Sequence, residues 1–444
     1  MDKGAAEGRF RSDFEFCSTV YGIFKRLFKI NCFFGNKMGV IMAYILKHVN
    51  LITMEEDGGI PDVDLFIANG KIMRISRRID IAGIDTYDCS GKFAMPGLID
   101  AHVHMDSSEI TEMLLANGVT ACRNMWGFQE TQQWRKEIAE GKRLGSHVYS
   151  TGPLTDGVTY WEHSLIVQTE EEAVKAVIDC INGGYEYVKT YPSIPRDAFI
   201  ALMNTAKTLG IKVMGHGNYH VTFQELKNLG YYSLEHISCL PKNEEEVVML
   251  AESGMWFCPT LIVARTIEDY VHCDKDVRTT KNYDSMCEYW RKDWDKITAW
   301  RKALHRYDDY DLQAEIEMAK VFVKNSDNVL MGTDVPNPGV TGGFSAHQEL
   351  EDLVATFGMT PFEAIRTATV NPARSLAIVE QKCRLKEGMD ADILILEKNP
   401  LEDIHNTETF TAVIKEGNYY EKAFLNEVLA KVKGYTESEI HPLM

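Results

Sequence analysis

Across residues 43–90, apolar and polar positions alternate in short runs, YILKHVNLI and VDLFIANGKIMRIS, with the period of half-buried strands. Asn69-Gly70 separates two apolar runs and predicts a type I′ hairpin, since both central residues of that turn adopt a left-handed backbone that Asn and Gly tolerate best. The same style returns after Gly388, in ADILILEKNP and FTAVIKEGNYY, with Gly417-Asn418 as the turn. Residues 42–93 and 379–423 are therefore expected to form one small β-sandwich built from both chain ends and enclosing what lies between.

Residues 94–378 alternate strand-like and helix-like periods. Apolar runs end near His104, Met125, Gly152, Tyr191, Gly217, Ile237, Val263 and Asp334, and most are followed by helical stretches, such as 195–209, 221–229, 244–253 and 346–357. Eight such units predict an α/β fold, a (β/α)8 TIM-like barrel with its site at the carboxyl ends of the strands. After the seventh strand stands a charged and aromatic insertion, residues 265–311, rich in Trp and Tyr. Insertions on that face act as lids or oligomer contacts, and the aromatic content favours helices covering part of the pocket; a homo-oligomer is compatible with this. A helical tail is expected over 424–444, with its helix at 425–432.

Residues 1–41 differ from the rest. Tyr21, Phe24 and Phe28 recur at helical spacing beside Lys25, Arg26 and Lys29, a pattern that suits an anionic membrane surface or the body of the protein. The expectation is a poorly ordered extension. No run reaches the roughly 18 uninterrupted apolar residues of a membrane-spanning helix, and no signal-peptide pattern is present.

Bulk composition narrows the function. With 444 residues, 45% hydrophobic and 25% charged, the chain can bury a large core. A formal net charge of -18 argues against nucleic-acid binding, because a polyanion would be repelled. Ten scattered cysteines with no C-x-x-C pair exclude a zinc ribbon and point to free thiols in a reducing, cytoplasmic compartment.

The chemistry concentrates in MPGLIDAHVH. His102 and His104 stand at i and i+2, so an extended strand points both imidazoles to one face, where they can chelate a metal ion. Further polar residues end later strands: Lys189 in YVKTY, His216 in VMGHG, His236 in SLEHI beside Glu235, and Asp334 in LMGTD. Less specific pocket candidates are Tyr160, Trp161, His163, Asn218, Tyr219 and His347. His220 and Arg265 are expected to contact a small-molecule substrate, Arg265 by suiting a carboxylate.

The MPGLIDAHVH segment resembles the first barrel strand of the metal-dependent amidohydrolase superfamily. TPFEAIRTATVNPARSLAI and LKEGMDADILILEKNPLEDI resemble its imidazolonepropionase-like and Xaa-Pro-dipeptidase-like branches, and the resemblance spans residues 43–423. It implies a ligand series of His102, His104, Lys189, His216, His236 and Asp334 around one or two divalent ions, zinc first among them. It also implies Asp334 as general acid/base for a metal-activated hydroxide. In binuclear members the lysine is carboxylated, so that Lys189 would bridge a metal on His102, His104 and Asp334 to one on His216 and His236. Alternatively, one metal sits on His102, His104, His216 and Asp334, and Lys189 is a surface or substrate-contacting lysine. Thr190-Tyr191-Pro192 departs from the glycine-rich sequence of the dipeptidase relatives. The expected reaction is hydrolysis of a carbon-nitrogen bond in an amide or cyclic amide. The alternatives are a mononuclear deaminase and a non-catalytic scaffold.

Overall fold

The computed structural model describes residues 43–55, 58–305, 307–308 and 310–440. The expectation for residues 1–41 lies outside the described residues. In chain order the strands are β1 (Ala43–Ile52), β2 (Gly59–Ala68), β3 (Lys71–Ser76), β4 (Asp85–Asp88), β5 (Phe93–Pro96), β6 (Leu98–Val103), β7 (Val119–Asn124), β8 (His147–Asp156) and β9 (Leu165–Ile166). They continue with β10 (Tyr187–Thr190), β11 (Lys212–Gly215), β12 (Ser233–Glu235), β13 (Trp256–Cys258), β14 (Ile393–Leu396), β15 (Phe410–Lys415) and β16 (Asn418–Glu421).

Both chain ends meet in one sheet, ordered β16-β15-β14-β5-β1-β2-β3 with β4 beside β1. The hydrogen bonding is continuous, so the expected sandwich is a single sheet. Its opposite ends nevertheless share a core: Leu46, Leu65 and Ile72 belong to the same buried cluster as Ile393, Ala412 and Ile414. The sheet is therefore curled on itself. Asn69 and Gly70 both take positive φ, 53° and 77°, as the hairpin requires. In the partner hairpin the left-handed pair is Glu416-Gly417 (48° and 76°), one residue earlier than expected, because Lys415 pairs with Asn418 in the ladder.

The second sheet is parallel and follows β6-β7-β8-β10-β11-β12-β13, with β9 on β8. Helices follow most strands and cover its outer face, as in Glu170–Asn182, whose N-cap Thr169 accepts from Glu172 N, and Arg196–Leu209, which buries Phe199, Leu202 and Met203. Residues 328–335 close the ring at the eighth position. On one side Leu330 N donates to Phe257 O (2.8 Å); on the other Ala101 N donates to Met331 O (2.9 Å) and Asp334 N to His102 O (2.7 Å). Gly332 makes this closure possible, since a Cβ there would lie 2.8 Å from His102 Cβ and 2.4 Å from Cys258 Sγ.

The seventh strand ends at Cys258, not near Val263. Pro259 follows, Thr260 turns left-handed (φ 46°), and Leu261–Ile267 is a helix whose first amides donate to buried Glu349 (2.8 and 2.7 Å). The insertion contains the helix Glu288–Ala303, pinned to the barrel mouth by Trp290 Nε1 on Glu109 (2.7 Å) and Trp294 Nε1 on Pro336 O (2.7 Å). The tail helix is Lys422–Lys433, and it buries Leu425, Val428 and Val432, each worth about 2 kcal/mol of apolar burial. No described helix is long and apolar enough to cross a membrane.

Candidate functional site

The backbone ladder itself assembles the site. β6 delivers His102 and, one step past its end, His104, whose N donates to Val335 O (2.7 Å). Lys189 lies in β10; His216 follows β11 and donates its N to Thr190 O; His236 follows β12 and donates its N to Cys258 O. Gly215 permits the close approach of β11 to β10, for a Cβ there would lie 2.1 Å from Thr190 O. His236 (φ 71°) and Asp334 (φ 62°) are both held in left-handed backbone that non-glycine residues avoid, as is common where a side chain must be aimed into a site.

All six of the ligand candidates from the sequence converge. Asp334 Oδ1 lies 3.3 Å from His102 Nε2 and 2.9 Å from His104 Nε2, and Oδ2 lies 3.9 Å from His236 Nδ1. The ring of His236 stands 4.7 Å, centroid to centroid, from those of both His102 and His216. Yet His102 Nε2, His216 Nδ1 and Lys189 Nζ are buried without a hydrogen-bond partner among the described residues. Buried polar atoms are normally satisfied, so three orphans in one cluster point to a ligand. One atom each from His102, His236 and Asp334 lie within 4.8 Å of one another, a donor set suited to a divalent cation.

Electrostatics prepare these donors. Burial pushes His236 down to about 3 and His216 well below the usual imidazole range, which keeps both neutral with lone pairs available. Burial also lowers the Lys189 amine, against the pull of Glu235 and Asp334. For Asp334 burial works upward, but the histidines around it hold the carboxyl well below its ordinary value.

Sequence reasoning assigned Glu235 no role and missed Arg123. Glu235 is fully buried and receives Arg123 (2.8 Å to each oxygen), Ser233 Oγ (2.6 Å) and His102 Nδ1 (2.8 Å). It thereby fixes the His102 tautomer and leaves Nε2 free to face Asp334. Although burial works to raise it, Arg123 keeps the Glu235 carboxyl below its ordinary range. His102, Glu235 and Cys258 are also close enough for a metal, but Glu235 is already saturated and burial holds the Cys258 thiol protonated. Thr260 orients His236 through its Oγ1 (2.7 Å), and Asp100 receives the backbone N of His102 and of Thr333.

The cleft above the cluster is lined by His104, Asp334, Trp126, Trp161, Tyr191 and Arg301. Trp161 Nε1 donates to Tyr191 OH (3.1 Å), and the Tyr191 ring lies edge-on 3.9 Å from His216. The two expected substrate contacts are elsewhere. Because the seventh strand ends early, Arg265 sits on a helix and pairs with Asp352 (2.8 Å) and Thr356 (2.7 Å). His220 is solvent-exposed in the loop after β11. His347 is buried with both nitrogens engaged, by Thr407 and Asn117 O; Asn218 bonds Ile194 O, and Tyr219 is exposed.

Residues 93–419 match the model of the Amidohydrolase family. An N-acetylglucosamine-6-phosphate deacetylase of Lysinibacillus sphaericus is 23% identical over 393 residues, 81% of this chain and 95% of that protein. An ochratoxinase of Aspergillus niger is 24% identical over 376 residues, 70% and 71%. The structure of a Xaa-Pro dipeptidase with methionine in its active site superposes with TM-score 0.68 at 19% identity, over 85% of this chain and 100% of the other. Other relatives include a 5-methylthioadenosine/S-adenosylhomocysteine deaminase and dihydroorotases.

Proposed function

The chain belongs to the Amidohydrolase family, an enzyme family of carbon-nitrogen hydrolases, and we propose that it hydrolyses amide bonds at the barrel mouth with a divalent metal, zinc first. The observation that carries this reading is the set of orphaned buried atoms, His102 Nε2, His216 Nδ1 and Lys189 Nζ, in one cluster with His104, His236 and the Asp334 carboxylate. His102, His104 and Asp334 would hold one ion, and His216 and His236 a second. Held there, a divalent cation supplies a Lewis acid for the scissile carbonyl and lowers the pKa of water.

The remaining work falls to the chain. Asp334, ionised and beside three imidazoles, takes the proton of the attacking water and delivers it to the leaving nitrogen. Glu235 and Arg123 keep His102 in register, while Trp126, Trp161 and Tyr191 wall the cleft and limit water. Lys189 is buried and shifted towards its neutral amine, the form that adds to carbon dioxide with loss of a proton. Its carbamate would add an anionic oxygen donor to the residues that would hold the metal. None of the eight cysteines among the described residues is joined in a disulfide, which supports a reducing, cytoplasmic setting.

Metals per chain, measured by elemental analysis on protein purified with bicarbonate, test the reading in wild type and Lys189→Ala. Two metals falling to one or none are expected. One metal in both proteins would remove the bridge and leave a single ion on His102, His104, His216 and Asp334. No metal in wild type would overturn the proposal.

A further inference from the structure

Arg301 is the one arginine lining the cleft, and it enters from the insertion helix Glu288–Ala303. It is 6% exposed. Its guanidinium has no carboxylate within ion-pair distance among the described residues; its hydrogen bond is to the neutral Asn337 Oδ1 (2.5 Å). A buried cation without an anion is costly, and arginine's planar fork of donors matches a carboxylate. In the same cleft, Trp126 Nε1 is a buried donor without a hydrogen-bond partner among the described residues. The additional cleft carboxylate, Asp106, has a buried Oδ1 without a hydrogen-bond partner, and it forms no ion pair with Arg301 among the described residues. A guanidinium has five N–H donors, so beside its bond to Asn337 it keeps capacity for an anion, and no carboxylate of the cleft forms an ion pair with it among the described residues.

We propose that Arg301 is a specificity-determining residue that receives a carboxylate of the substrate, so that the site takes amides bearing a free carboxylate, the N-acyl amino acid and dipeptide class. This rests on the amide-hydrolase reading above. The insertion is then more than a cover: it contributes the charge that aligns the amide, with Asn337 holding the guanidinium in place. The role that the sequence reading gave to Arg265 passes to a residue about one long helix further along the chain.

The test uses matched pairs, each N-acyl amino acid or dipeptide against its carboxamide, on wild type, Arg301→Lys and Arg301→Met, with metal content checked in each. Wild type should favour the acid about 30- to 300-fold in kcat/KM, the worth of a charge-assisted bidentate contact. Arg301→Met should bring that ratio towards one, chiefly through KM, and Arg301→Lys should retain part of it. A ratio near one in wild type, or one unchanged in both variants, overturns the assignment while leaving amide hydrolysis intact. If no amide is cleaved, tryptophan fluorescence still decides. Free amino acids that quench wild type at least tenfold more tightly than their carboxamides, with the difference lost in Arg301→Met, support the carboxylate site apart from the reaction. Equal binding of acid and carboxamide overturns it.

Discussion

Lys189 and Lys382 are both buried, 0% and 5% exposed, yet they live under opposite rules. Lys382 lies near the junction of barrel and sheet domain, with Nζ 2.7 Å from Asp392 and 3.1 Å from Asp390. Burial alone would favour its neutral form, but the two carboxylates win and raise its pKa. Lys189 has no such partner, and burial lowers its pKa despite the more distant pull of Glu235 and Asp334. The difference teaches how to read buried charge: a fully paired ion is fold, and an unpaired one is kept for something that has yet to bind.

The comparison can be broken at either end. Asp334→Asn should lower kcat by about a thousandfold with an unchanged thermal melt, measured by steady-state turnover and circular dichroism. More than a few per cent of wild-type activity would remove Asp334 as the proton shuttle. Lys189→Met should cost about a hundredfold in activity and lower the metal content, while urea unfolding of the metal-free protein shows equal or greater stability, because an orphaned amine has been removed. Lys382→Met should do the reverse, losing about 3–5 kcal/mol in urea unfolding by stranding Asp392, with turnover per folded molecule preserved. Equal stability losses in the two lysine variants would erase the distinction. Glu235→Gln should weaken metal affinity about 10- to 100-fold in chelator competition, since it loosens the grip on His102. The smallest effect is expected from deleting residues 1–41, which should leave kcat/KM unchanged in a soluble product.

The convergence of the six candidates was legible because each ends an apolar run, and a strand's end is a fixed place in a barrel. His102 and His104 needed only the two-residue period, and His216, His236 and Asp334 followed in strand order. What went astray did so for physical reasons. PTLIVA is apolar and β-branched, and a short buried run of that kind reads equally as strand or helix; Pro259 and the capping carboxylate of Glu349 decide for helix. That one shift carried Arg265 out of the pocket. Glu235 and Arg123 are 112 positions apart and share no period, so their pairing was invisible along the chain. Arg301 was hidden for a similar reason: its place depends on how Trp290 and Trp294 dock the insertion. The sheet domain was read correctly as a product of both chain ends, and its hairpin at Glu416-Gly417 slipped by one because either neighbour of Gly417 could open the turn.

The hydrogen bond from Asp334 N to His102 O joins positions 232 residues apart, at the seam where the first and last barrel positions meet. During synthesis, His102 and His104 leave the ribosome long before Asp334 exists. A nascent chain thus presents two histidines but no finished chelate, and the complete donor set arises only when the ring shuts. At the proposed metal site, such long-range closure would place uptake of an ion after the barrel has shut. Catalytic competence becomes a certificate that the whole barrel has been made.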